Sequence, residues 1–137
     1  MLTIERVAAL RRAPIFETVP DHVLAGVARV VEEEPVDAGD EVIRQGDEED
    51  SMLVIADGHL RVHVGDTTLV ELGPGASVGE LAILDPRPRS ASVTATAPGI
   101  LLRVRRDAFD DLLLDHPELA RSAIRMLVEI IRDRTPR

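Results

Sequence analysis

The chain has no cysteine, no tryptophan and no tyrosine, and its only aromatic residues are Phe16 and Phe109. Without cysteine there is no disulfide, zinc finger, iron–sulfur cluster or thiol nucleophile. Two phenylalanines are too few for a surface that stacks bases or sugars on aromatic rings. Lysine is also absent, so all 16 basic residues are arginines. Schiff-base chemistry and the lysine of a triphosphate-binding loop are thereby excluded. Positive charge is in deficit, with 25 acidic residues giving a formal charge of −9. Such a domain repels a phosphate backbone, and no direct nucleic-acid contact is expected. No apolar run approaches 18 residues, so no membrane insertion is expected. The opening residues lack the charge-then-apolar order of a signal peptide, and the expected location is cytoplasmic.

What is present is enough for one ordinary domain. The chain has 137 residues, 45% of them hydrophobic, and a chain of this length buries roughly 68% of its extended surface. Residues 1–34 read as an N-terminal helical segment. Leu2, Val7 and Leu10 recur at helical spacing up to Pro14. A second amphipathic stretch follows Pro20-Asp21, carrying Val23, Leu24, Val27, Val30 and Val31. The acidic run Glu32-Glu33-Glu34 before Pro35 reads as a solvated element end.

Between 35 and 105 the texture becomes β. Glycines punctuate short β-branched segments at Glu41–Arg44, Met52–Ala56, Leu60–Val64, Thr67–Leu72, Ala91–Ala95 and Ile100–Val104. Leu60, Val62 and Val64 alternate with His59, Arg61 and His63, and Asp57-Gly58 and Val64-Gly65-Asp66 have hairpin-turn composition. Residues 106–137 return to helical periodicity. Phe109, Leu112 and Leu113 mark one helix. A second begins near Pro117, with Leu119, Ala123, Met126, Leu127, Ile130 and Ile131 on one side. Residues 1–137 therefore read as a single domain, mainly β with flanking helices.

One segment, residues 75–95, carries more than core alternation. Gly79 permits close backbone approach. The first N–H groups of a short helix at 80–84 would form an anion cradle. Arg87 or Arg89 could add a bidentate guanidinium and Ser90 a hydroxyl. Glu80 suits a sugar hydroxyl better than a phosphate, because like charges repel. A phosphate cradle beside a carboxylate points to a nucleotide.

Gly79-Glu80-Leu81-Ala82 followed by Arg89-Ser90-Ala91-x-Val93-x-Ala95 resembles the phosphate-binding cassette of cyclic nucleotide-binding domains, the sensors of catabolite activators, cyclic-nucleotide-dependent kinases and cyclic-nucleotide-gated channels. The resemblance extends through Ile15-Phe16, Ala38–Asp47, Leu53–Val62 and His116–Leu119 in family order. It implies an eight-stranded, jelly-roll-like β-roll with N-terminal helices and two C-terminal helices. It implies Arg89 on the cyclic phosphate, Glu80 on the ribose 2′-hydroxyl, and Gly79, Leu81, Ala82, Ser90 and Ala91 completing the cradle. Arg87 has no family counterpart and is expected in solvent. Val78 departs from the aromatic often found before the Gly-Glu pair. The base is usually covered by the last helix, where Met126, Ile130, Arg132 and Arg134 are the candidates. Ser90, where threonine tends to accompany cGMP, favours cAMP.

The resemblance therefore implies a regulatory sensor, not an enzyme, with no cofactor and a cyclic purine nucleotide as ligand. It would reposition its last helix to act on a protein partner or a second copy. Two alternatives share the fold: an interaction or dimerisation module that binds no nucleotide, and the sensor fragment of a transcription regulator, channel or transporter. Metal sites find no support in the sequence. His22, His59, His63 and His116 are scattered and read as surface residues. His59 and His63 would stand about 13 Å apart along a strand. Asp47-Glu48-Glu49-Asp50 lacks calcium-loop spacing and reads as a solvated loop.

Overall fold

The computed structural model describes residues 1–48 and 50–134. Helix α1 (Thr3–Arg11), a 3-10 turn (Pro14–Phe16) and helix α2 (Asp21–Val30) precede the strands. Eight strands follow: β1 (Glu32–Val36), β2 (Glu41–Ile43), β3 (Ser51–Asp57), β4 (Leu60–Val64), β5 (Thr67–Leu72), β6 (Ser77–Val78), β7 (Ser92–Ala95) and β8 (Gly99–Arg105). A short helix α3 (Glu80–Leu84) sits between β6 and β7, and α4 (Arg106–Asp115) and α5 (Pro117–Arg134) close the chain.

The strands make two four-stranded antiparallel sheets, ordered β1-β8-β3-β6 and β2-β7-β4-β5, rather than a closed barrel. Their facing sides bury Ile43, Leu53, Ile55, Leu60, Val93 and Leu101. The outer side of the first sheet packs Met52, Val54, Leu102 and Val104 against the helices. Strands β3 and β8 are thus covered on both faces, which explains their nearly continuous apolar runs. Helix α2 contributes Val23, Leu24 and Val27, and the two phenylalanines meet at 6.4 Å between ring centroids.

Four local expectations are corrected. Glu32-Glu33-Glu34 is not a solvated element end: it forms β1 and pairs antiparallel with β8. Each of its carboxylates meets a cation, Glu32 with Arg105, Glu33 with Arg6 and Glu34 with Arg103. Arg105 hydrogen-bonds the Glu32 carboxylate at Oε1 (2.6 Å) and Oε2 (3.2 Å). That pairing holds its pKa below the ordinary value, chiefly through the hydrogen bonds from Arg105.

His63 is buried rather than on the surface. A bulge in β5 shifts the β4–β5 register between Val62 and His63 while the β4–β7 register stays unbroken, so His63 shares the face of Arg61 and Thr94 and Val64 is exposed. The ring of His63 contacts the Gly65 carbonyl and Thr94 Oγ1, each at 2.8 Å. Asp57-Gly58 is not a hairpin turn, because β3 and β4 lie in different sheets. Gly58, at φ 103°, carries the chain across from one sheet to the other. A side chain there would press on the Gly99 Cα at 3.1 Å.

On α5, Leu119, Ala123 and Met126 are buried, whereas Leu127 and Ile131 stand exposed instead of sharing that face. In the acidic loop, Glu49 lies outside the described residues.

Candidate nucleotide site

Strand β6 pairs with β3, Val78 opposite Leu53 and Ser77 opposite Val54. The chain then turns at Gly79, whose left-handed φ of 80° starts α3. Glycine is required there twice over. The backbone conformation disfavours any side chain, and a Cβ would lie against Arg89 Nη1 and 2.9 Å from the Ser51 carbonyl oxygen. Glu80 follows as the first residue of α3, so its carboxylate stands over the turn. One oxygen accepts from the Ser77 hydroxyl at 2.5 Å, and the other accepts from the Ile15 N–H at 3.3 Å.

Arg89 reaches the same place from the loop before β7. Its main chain is pinned to the β2–β3 loop, with its N–H donating to the Asp47 carbonyl (2.9 Å) and its carbonyl accepting from Gly46 N–H (2.8 Å). Its Nη2 donates to the Ser51 carbonyl at 2.5 Å. The guanidinium is therefore held at the N-terminal end of α3, where the helical N–H groups have no acceptor within the helix.

Gly79, Glu80 and Arg89 line one cavity of about 940 Å³. All seven cassette residues expected from the sequence contribute to its wall: Gly79, Glu80, Leu81, Ala82, Arg89, Ser90 and Ala91. Ile43, Val62, Val78 and Val93 make its apolar side, and α5 closes it with Met126 and Ile130. Of the four candidates for covering the base, Met126 and Ile130 therefore reach the cavity. Arg132 does not line it and is exposed, and the side chain of Arg134 lies outside the described residues. Arg87 lies on the rim, 80% exposed, paired with Asp85 at 3.0 Å.

Sequence reasoning missed several participants. Ser51, Ser77 and Ile15 hold the site's charged groups, and Arg125 lines the cavity from α5. Ser51, Ile15 and Arg125 meet the site only because distant segments are brought together, whereas Ser77 is three positions before Glu80.

A model of the family described as "Cyclic nucleotide-binding domain" matches residues 33–116. This chain belongs to that family. The chain is 32% identical over 108 residues to a cAMP-dependent protein kinase regulatory subunit of Yarrowia lipolytica, covering 79% of this chain and 29% of that protein. The cyclic nucleotide-binding domain thus spans less than a third of that curated relative. Among solved structures, the N-terminal domain of a transcriptional regulator from Streptomyces coelicolor A3(2) superposes with a TM-score of 0.83 at 28% identity, over 91% of each chain. The regulatory domain of Toxoplasma gondii PKA, crystallised with cAMP, gives a TM-score of 0.74 at 26% identity, over 80% of this chain and 44% of that one. Among the described residues of this cyclic nucleotide-binding domain, no helix is long and apolar enough to cross a membrane.

Proposed function

We propose that this cyclic nucleotide-binding domain is a cAMP sensor with a regulatory output. The observation that carries the reading is the convergence of Glu80, Arg89 and the first turn of α3 on one cavity closed by α5. In this reading Arg89 donates to the cyclic phosphate, with the N–H groups of the α3 turn beside it. Glu80 accepts from the ribose 2′-hydroxyl, for which an ionised carboxylate is well suited. Leu81, Ala82, Ser90 and Ala91 complete the cradle, and Met126 or Ile130 covers the purine. No cofactor and no bond-breaking step are needed. Ser90 after the key arginine supports adenine over guanine.

The signal leaves through α5. A ligand moves this helix only by binding more tightly to one of its arrangements. Contacts between the purine and Met126 or Ile130, present only with α5 seated on the cavity, supply that difference. The receiving group is a protein partner or a second copy, and the working location is the cytoplasm, where residues 1–137 act as one domain.

Isothermal titration with cAMP and, separately, cGMP tests this directly. Saturable one-to-one binding is expected, tighter for cAMP. Arg89→Ala should weaken it by roughly 2–5 kcal/mol, the range for removing one partner of a buried charge pair. Titrations silent for both nucleotides, with no thermal shift, would make the domain a non-binding interaction module. An unchanged affinity in Arg89→Ala would remove Arg89 from the phosphate site.

A further inference from the structure

Ser51, the first residue of β3, stands between two guanidinium groups. Its carbonyl accepts from Arg89 Nη2 at 2.5 Å, and its hydroxyl accepts from Arg103 Nη1 at 2.6 Å. Arg103 is a cation only 7% exposed, in the middle of the first sheet. Its Nε and Nη2 donate to the two carboxylate oxygens of Glu34 on β1. The sheet register makes this row. Leu53 is opposite Arg103, and Leu101 is opposite Glu34. With side chains alternating along each strand, Glu34, Arg103 and Ser51 therefore share the face that carries Leu53 and Leu101 between the sheets. The row ends where Arg89 meets Gly79. Burying a charged pair costs desolvation that an apolar pair of the same volume would avoid. Packing alone therefore does not account for Arg103 and Glu34.

We propose that Ser51 and Arg103, anchored by Glu34, are positioning residues for Arg89. They fix the start of β3 so that its carbonyl holds the Arg89 guanidinium at the head of α3 before ligand arrives. None of the three lines the cavity, so they act on bound nucleotide only through Arg89. A long arginine side chain loses rotamer freedom when it is ordered on binding. A guanidinium already tied at one edge has less to lose. This inference deepens the nucleotide-site reading of Arg89 and rests on it for its consequence on affinity.

The test uses the whole chain and two readouts. Ser51→Ala deletes the hydroxyl but keeps the carbonyl, and Arg103→Met removes the charge while keeping the length. In the ligand-free protein, the Arg89 Nε–Hε resonance, assigned by its loss in Arg89→Lys, should exchange with water about tenfold more slowly than exposed arginines. Both variants should bring it toward the exposed rate. In titrations, Ser51→Ala should weaken cAMP binding about three- to tenfold, the scale of one hydrogen bond, and should add no loss in the Arg89→Lys background. An Arg89 resonance unmoved in both variants overturns the proposal, as does an equal loss of affinity in both backgrounds. If Arg103→Met does not fold, Ser51→Ala decides. A wild-type chain that ignores cAMP while its Arg89 resonance responds to Ser51→Ala sinks the nucleotide reading and leaves the positioning role standing.

Discussion

At Gly79 a single missing Cβ makes room for a guanidinium. The φ of 80° and the nearness of Arg89 Nη1 and the Ser51 carbonyl act together. Gly79→Ala is expected to destabilise the fold by about 1–3 kcal/mol through backbone strain and to displace Arg89. Urea unfolding and cAMP titration of the variant measure both effects. An unchanged cAMP affinity would show that Arg89 does not need this corner. Glu80 offers a second residue-scale check. Its carboxylate is held by Ser77 and the Ile15 N–H, so it stands ready as an acceptor. Glu80→Gln keeps the shape but weakens the acceptor. Affinity for cAMP should fall about tenfold, the difference between a charged and a neutral hydrogen bond, whereas 2′-deoxy-cAMP should bind both forms alike. Equal losses for the two ligands would disconnect Glu80 from the 2′-hydroxyl. That Gly79, Glu80 and an arginine would gather around a short helix was legible from their spacing, and the family resemblance singled out Arg89 over Arg87. Ser51 was not, because its partners lie 38 and 52 positions away.

The elements most dependent on distant partners were the hardest to read. Strand β1 carries three consecutive glutamates and a proline, a composition that predicts a solvated end. It is a strand because β8 supplies Arg103 and Arg105 diagonally across the ladder from Glu34 and Glu32, and α1 supplies Arg6. A proline is tolerated there because β1 ends its sheet. The Glu32 carboxylate, hydrogen-bonded by Arg105, has its pKa lowered from the ordinary 4.5. A carboxylate with a depressed folded pKa contributes stability above its unfolded pKa and loses it as pH falls through the folded one. Acidification below about pH 4.5 should therefore erode the β1–β8 edge. Glu32→Gln should flatten that part of the pH–stability curve, and added salt should do the same because the pair is exposed. Denaturant melts from pH 6 down to pH 3 measure it. An acid limb unchanged by Glu32→Gln would rule the pair out. The helices needed no such help: α2 and α5 each show a clear apolar stripe, and their bounds fall within a residue or so of those expected.

On the scale of the whole molecule, the two sheets enclose one core while the helices and the outer face of the first sheet enclose another. The candidate nucleotide cavity lies where strands from both sheets, α3 and α5 meet. A ligand that binds only this assembled arrangement must stabilise the fold by mass action. At 100 times its dissociation constant cAMP should add about 2.7 kcal/mol, raising Tm on the order of 10 °C for a chain of this size. A calorimetric scan with and without cAMP reads this, and Arg89→Ala should cut the shift to about a third or less at the same cAMP concentration. A shift of equal size in that variant would place the ligand elsewhere.

Composition, periodicity and the cassette by themselves determined the family, the mainly β architecture with its flanking helices, and the seven residues that line the cavity from the cassette. Each depends on patterns within a few positions of one another, which chain geometry converts directly into a strand, a helix or a loop. Only the tertiary structure decided that the glutamate run is a strand, that His63 is buried against Gly65 and Thr94, that Met126 and Ile130 rather than Arg132 reach the cavity, and that Ser51 and Arg103 stand behind Arg89. These outcomes are set by register and by the angle at which helices pack. Both are cooperative properties of the assembled core, where a shift of one residue exchanges one face for the other.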